Sequence, residues 1–158
     1  MGPLDNRGII SPSEPAISGA TSAPGKNSRP SVLIVDDAEL HRTLLSAYLM
    51  GTPFEADGAE NGAIAVAKVK DRKYDFILMD LLMPEMDGFE AMRNIRIWEE
   101  SRGLGRACVI ITVSAWELKE AVPECFECGA DMHLTKPIRR AKLLEVLNTQ
   151  WSRIANRG

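Results

Sequence analysis

Four short apolar runs punctuate the chain, and each ends on a polar residue of a different kind. Val32-Leu33-Ile34-Val35 runs into Asp36-Asp37, and Phe76-Ile77-Leu78-Met79 runs into Asp80. Val109-Ile110-Ile111-Thr112-Val113 ends at Ser114, and Met132-His133-Leu134-Thr135 at Lys136-Pro137. Runs this short and continuous predict strands covered on both faces. Amphipathic stretches lie between them. Over 38–50, Leu40, Leu44, Leu45, Tyr48 and Leu49 share one helical face. Helices are also expected near 61–71 (Ala65, Val66 and Val69 inward), 88–100 (Phe89, Met92, Ile95) and 138–154 (Leu143, Leu144, Leu147, Trp151). A short one near 122–128 has Pro123 in its first turn, where no hydrogen bond is lost. A weaker strand around Phe54–Ala56 completes the alternation.

Five strands alternating with five helices predict an α/β fold with a doubly wound parallel sheet. Right-handed crossovers favour strand order 2-1-3-4-5, the (βα)5 flavodoxin-like arrangement. In that order the first and third strands are neighbours at the point where the winding reverses. Ligand sites form there, beyond the C-terminal strand ends. Topology alone therefore gathers Asp36, Asp37 and Asp80, with Ser114 and Lys136 on the same edge.

Residues 1–30 differ in composition, holding five of the nine prolines among many Ser, Gly and Ala. Such a stretch buries too little apolar surface to offset chain entropy, so a flexible linker or tail is expected, followed by one domain over 31–156. The net charge of −3 disfavours a broad nucleic-acid surface. No apolar run reaches membrane-spanning length, and no secretory pattern opens the chain. The expected location is cytoplasmic, including the cytoplasmic part of a membrane-anchored sensor. Three cysteines do not make a disulfide framework. Cys125 and Cys128 have C-x-x-C spacing but no second ligand pair, so a structural role is expected for both. His41 and His133 have no ligand neighbours that would mark a metal site.

The acids, hydroxyl and ammonium fit one chemistry. Mg2+ prefers oxygen ligands and typically takes one or two carboxylates, keeping waters and a substrate phosphate. Asp37 and Asp80 suit direct ligation, with Asp36 holding a coordinated water. A carboxylate such as Asp80 is also a nucleophile toward phosphorus. A transferring phosphoryl group spreads charge over three oxygens, which Mg2+, Lys136 and Ser114 would neutralise. Each feature has a plainer reading: an Asp pair after a strand is often a helix cap, and Pro84 and Gly88 are ordinary loop punctuation. The joint arrangement favours the functional one.

These residues resemble the response-regulator receiver domain of two-component signalling. The matching text is V-L-I-V-D-D at 32–37, D-L-L-M-P-E-M-D-G at 80–88, V-S-A at 113–115 and K-P-I at 136–138. The resemblance covers about 31–155. It implies phosphorylation of Asp80 from a phosphohistidine, supplied by a histidine-kinase dimerisation domain or a phosphotransfer protein. Mg2+ is the implied cofactor, with Mn2+ an acceptable substitute, and the Leu82 backbone carbonyl is a further ligand. Ser114 is the implied switch hydroxyl. His133 stands where the family carries an aromatic switch residue, a smaller and more polar ring in that place. Leu82 and Trp116 occupy positions flanking the hydrolytic water, so slow loss of the phosphoryl group is expected.

The N-terminal stretch and the connection Glu99–Arg106 point to the C-terminal receiver of a hybrid sensor kinase, over a stand-alone single-domain regulator. Leu40, Leu44 and Arg42 mark a docking edge near the acidic mouth. A monomer or weak dimer is expected, with no direct contact to nucleic acid or membrane. An aspartyl-phosphate phosphatase is disfavoured because Leu82 stands where such enzymes need a second acid. A nucleotide-binding module is disfavoured because neither glycine-rich phosphate motif occurs.

Overall fold

The structure, a computed structural model, describes residues 29–157. The linker expected over 1–30 lies outside the described residues except for Arg29 and Pro30. These two lie against the sheet edge: the Glu55 N–H donates to the Pro30 carbonyl at 2.8 Å, and Arg29 pairs with Glu55 at 3.3 Å.

The strands are β1 (Ser31–Val35), β2 (Glu55–Ala59), β3 (Phe76–Asp80), β4 (Val109–Ser114) and β5 (Met132–Thr135). They pair in parallel in the order β2-β1-β3-β4-β5, as predicted. The helices are α1 (Glu39–Leu49), α2 (Gly62–Asp71), α3 (Gly88–Ser101), α4 (Val122–Cys128) and α5 (Arg140–Arg157).

Period-2 alternation divides the core in two. Leu33, Val35, Ile77, Met79 and Ile110 face α2, α3 and α4. Val32, Ile34, Phe76, Leu78, Ile111 and Val113 face α1 and α5. With helices on both faces, β1 is buried throughout and apolar from Val32, and β3 is buried throughout and apolar up to Asp80, which explains why their signal was continuous.

Local chemistry starts the helices that frame the site. Asn61 caps α2 by accepting from the Ile64 N–H at 2.8 Å, and Asp87 caps α3 by accepting from the Glu90 N–H at 2.9 Å. Gly88 is required by close approach: a Cβ there would stand 2.2 Å from the Asp80 carbonyl oxygen. Its N–H donates to the Leu81 carbonyl at 2.8 Å, clamping the start of α3 onto the end of β3.

Several expectations are corrected. β2 runs 55–59, later than 54–56, because its sequence Glu-Ala-Asp-Gly-Ala carries almost no apolar signal on an edge strand. The helical face shared by Leu40, Leu44, Leu45, Tyr48 and Leu49 is only partly inward: Leu45 and Leu49 are buried, whereas Leu40 and Leu44 are 86% and 44% exposed. Trp116–Ala121 forms a 3-10 turn ahead of α4 that periodicity did not reveal. Glu99, which the expected helix 88–100 and the connection 99–106 both claimed, lies in the last turn of α3 and is buried. α5 begins at Arg140, while Ile138 packs into the core ahead of it.

Candidate functional site

Strand register assembles the site. Val35 pairs with Met79 across β1 and β3, so Asp36, one residue on, stands level with Asp80. Ser114 pairs with Thr135 across β4 and β5, so Lys136 emerges just past that pair, and its N–H donates to the Ser114 carbonyl at 2.7 Å. A cis peptide bond joins Lys136 to Pro137. Carboxylate oxygens of Asp36, Asp37 and Asp80 all lie within 4.8 Å of one another. Lys136 Nζ reaches Asp36 Oδ2 at 3.2 Å and Asp80 Oδ1 at 3.5 Å. One ammonium faces three carboxylates, so the site holds surplus negative charge.

Each acid is held differently. Asp36 is buried, with Oδ1 accepting from the Ala38 N–H at 2.9 Å and Oδ2 in contact with both His41 Nδ1 and Lys136. Burial would push its carboxyl up, but the Ala38 N–H, His41 and Lys136 outweigh that and hold it below the ordinary range. Asp80 behaves in the opposite sense. Burial and then the Asp36 charge push it up to about 6, against the opposing pull of Lys136 and the Leu81 N–H. Asp37 is exposed and makes no hydrogen bond among the described residues. A hard cation would relieve this arrangement, and carboxylate oxygens are the donors it prefers.

Ser114 is buried at the same edge, but its hydroxyl faces His133 Nε2 at 3.5 Å rather than any of the carboxylates. The other ring nitrogen of His133 bonds the Thr112 hydroxyl at 2.9 Å. The ring thus lies along β4, half-buried, where burial lowers its basicity. Leu82 and Trp116 are exposed, at 58% and 62%, with Lys119 Nζ 4.6 Å above the Trp116 ring.

Sequence reasoning assigned no task to His41, which the structure places against Asp36. The available signal was its position five residues after that acid, at the start of a helix that folds back over the strand end. Arg42, expected near the acidic mouth, is there: its guanidinium donates to the Asp36 carbonyl oxygen at 2.6 Å. Cys108, Cys125 and Cys128 are buried and free, and Cys128 Sγ lies 2.9 Å from the Arg93 guanidinium.

A sequence profile of the response regulator receiver domain matches residues 32–148. The chain belongs to that family. It is a receiver domain of two-component signalling, and receiver domains bind Mg2+ at an acidic site of this kind. Hybrid signal transduction histidine kinase L of Dictyostelium discoideum is 39% identical over 119 residues, covering 73% of this chain and 7% of that kinase. Two-component response regulator ORR41 of Oryza sativa subsp. japonica is 40% identical over 120 residues, covering 73% of this chain and 90% of the regulator. The chain therefore spans a small fraction of some relatives and nearly all of others. Among solved structures, the receiver domain of sensor histidine kinase PA1611 from Pseudomonas aeruginosa, with a magnesium ion coordinated in its active site cleft, is 32% identical with a TM-score of 0.67, covering 76% of this chain and 95% of that one. The receiver of Ssk1, in complex with the histidine phosphotransfer protein Ypd1 of Saccharomyces cerevisiae, is 26% identical with a TM-score of 0.68, covering 78% and 86%. Among the described residues no helix is long and apolar enough to cross a membrane.

Proposed function

We propose that this receiver takes a phosphoryl group from a phosphohistidine onto Asp80 with Mg2+, and passes it on or displays it to a partner. The observation that carries the reading is the set of three carboxylates facing one ammonium at the strand ends. In the transfer the donor N–P bond breaks, a bond forms between an Asp80 carboxylate oxygen and phosphorus, and the imidazole leaves.

The residues divide the work. Asp37, Asp80 and the Leu82 carbonyl would hold the cation directly and Asp36 through a water, and Mn2+ would serve in its place. Bound there, the cation neutralises charge on the phosphoryl oxygens. Asp80 Oδ1 is held by the Leu81 N–H and Lys136, and Oδ2 has no hydrogen-bond partner among the described residues. Near neutral pH most of the Asp80 carboxyl is ionised, as a nucleophile must be. Lys136 supplies an ammonium to a second phosphoryl oxygen, and the Ser114 hydroxyl leaves His133 for a third. That movement frees the His133 ring and biases the face between β4 and β5, a population shift within one fold. Leu82 and Trp116 screen the phosphoryl group from water.

The partner is a histidine-kinase dimerisation domain or a phosphotransfer protein, met at the exposed α1 residues Leu40 and Leu44 beside the site. The resemblance to both a hybrid kinase and a short regulator suits this reading in either setting; we favour the hybrid-kinase receiver, tethered through residues 1–30 in the cytoplasm, with 31–156 as the folded unit. Incubation with acetyl phosphate and Mg2+, followed by peptide mapping, tests the assignment. Phosphate on the Asp80 peptide is expected, and none in Asp80→Asn. Modification elsewhere, or turnover of many phosphoesters, would replace the signalling reading with an enzymatic one.

A further inference from the structure

His41 is the polar group nearest the acids that phosphoryl chemistry does not use. Its side chain is 18% exposed and that of Asp36 is 4% exposed, so their contact is largely removed from water. An ionised carboxylate has no hydrogen to give, so in this pair Nδ1 bears the hydrogen and donates to Asp36 Oδ2. The first turn of α1 thereby grips Asp36 at three points: the Ala38 N–H on Oδ1, His41 on Oδ2 and Arg42 on the backbone carbonyl. Arg42 also runs along β2: a Cβ added at Gly58 would stand 3.6 Å from its Cδ.

Lone pairs show what this grip does. A carboxylate offers about four acceptor directions. Ala38, His41 and Lys136 take three of those of Asp36, two of them on Oδ2. One direction remains, on Oδ1. Asp37 and Asp80 Oδ2, by contrast, have no hydrogen-bond partner among the described residues. A carboxylate so nearly saturated is fitted to accept from one water, whereas its two neighbours are fitted to ligate a cation outright.

We propose that His41 is a positioning residue for the cation site, holding Asp36 so that this acid grips the ion through a water and leaves direct ligation to Asp37 and Asp80. The inference rests on the assignment of these three acids to Mg2+. Outer-shell partners of this type commonly change metal affinity by about 10- to 100-fold. His41 also sets which oxygen of Asp36 faces Lys136, so its loss lets the carboxylate turn out of the orientation in which it would accept from that water.

Calorimetric titration of the chain with Mg2+ alone tests this without any phosphoryl donor. His41→Leu is expected to weaken binding by about tenfold or more. His41→Asn, whose amide nitrogen overlies Nδ1, is expected to restore most of it. In an Asp36→Ala background, His41→Leu is expected to cost nothing further, an outcome that a general loss of packing at α1 would not produce. Equal or tighter Mg2+ binding by a folded His41→Leu chain overturns the inference and leaves the acid site standing. Failure of the unmodified chain to bind Mg2+ overturns both. Should His41→Leu not fold, 15N NMR of the unmodified His41 ring decides: a hydrogen on Nδ1 is expected, and a ring protonated at Nε2 alone contradicts the proposal.

Discussion

Two charge clusters, each built around a buried acid, stand at opposite ends of the same sheet, and they differ in balance. At the N-terminal ends of β4 and β5, Glu99 and Asp131 meet Arg96 and Arg106, two acids with two bases. Arg96 bridges Glu99 at 2.8 Å and Asp131 at 2.7 Å, and Arg106 takes the other Asp131 oxygen at 2.7 Å. The Ala107 and Cys108 N–H groups donate to the remaining Glu99 oxygen, and the Ile110 N–H donates to the Asp131 oxygen that Arg96 also holds. Every charge is answered. At the C-terminal ends three acids share one lysine, and two of the acids keep oxygens without partners. Surface shape would have pointed the wrong way, since depressions of about 540 and 700 Å³ lie at the balanced end. Unmet charge, rather than cavity size, is what singles out the end proposed for phosphoryl chemistry.

Breaking each cluster should therefore have different consequences. The largest effect is expected from Asp80→Asn, which removes the proposed phosphoacceptor and should abolish labelling by acetyl phosphate while leaving a folded chain. At the other end, Arg96→Ala strands Glu99 in the interior and should cost about 3–5 kcal/mol of stability in urea unfolding. The folded fraction of that variant should still bind beryllofluoride. Loss of binding with retained stability would reverse the contrast.

A smaller effect sharpens the comparison through pH. Asp80 has a folded-state value raised from 3.8 to about 6, so the folded chain binds this proton more tightly than the unfolded chain. Its stabilising contribution is complete below pH 3.8 and is lost as pH rises through 6. The loss is on the order of 3 kcal/mol. Relative to Asp80→Asn, the unmodified domain should thus lose stability between pH 4 and 7, and Mg2+ should return part of it. A flat difference across that range would mean that the acids are already compensated. The smallest effect concerns lifetime. Trp116→Ala should open the phosphoryl group to water and speed its loss about fivefold, close to 1 kcal/mol of barrier, read by the decay of labelled protein.

Much of this was legible in the chain because burial on both faces writes strands as unbroken apolar runs. Asp36, Asp80, Ser114 and Lys136 stood out as the polar residues that stop those runs, and parallel topology did the rest. Where the pattern carried less, it misled. β2 is an edge strand with almost no apolar residues, so its position slipped. The burial of Glu99 was not legible, since periodicity gives no sign that Arg96 and three donors would enclose it. His41 was invisible for a related reason: its task depends on how the first turn of α1 folds back over β1, a tertiary angle that spacing alone does not encode. Leu40 and Leu44 fit the helical stripe yet remain exposed, because the apolar face of α1 is wider than the surface it covers.

The central claim is that surplus acid at the strand ends, Lys136 and Ser114 together form a phosphoryl site centred on Asp80. Beryllofluoride titration followed by backbone NMR tests it most directly. With Mg2+ present, resonances of Asp80, Ser114, His133 and Lys136 should move together to a new set of positions, and none should move in Asp80→Asn. Shifts that persist without Mg2+ or in Asp80→Asn, or that gather instead around Arg96 and Asp131, would contradict the account.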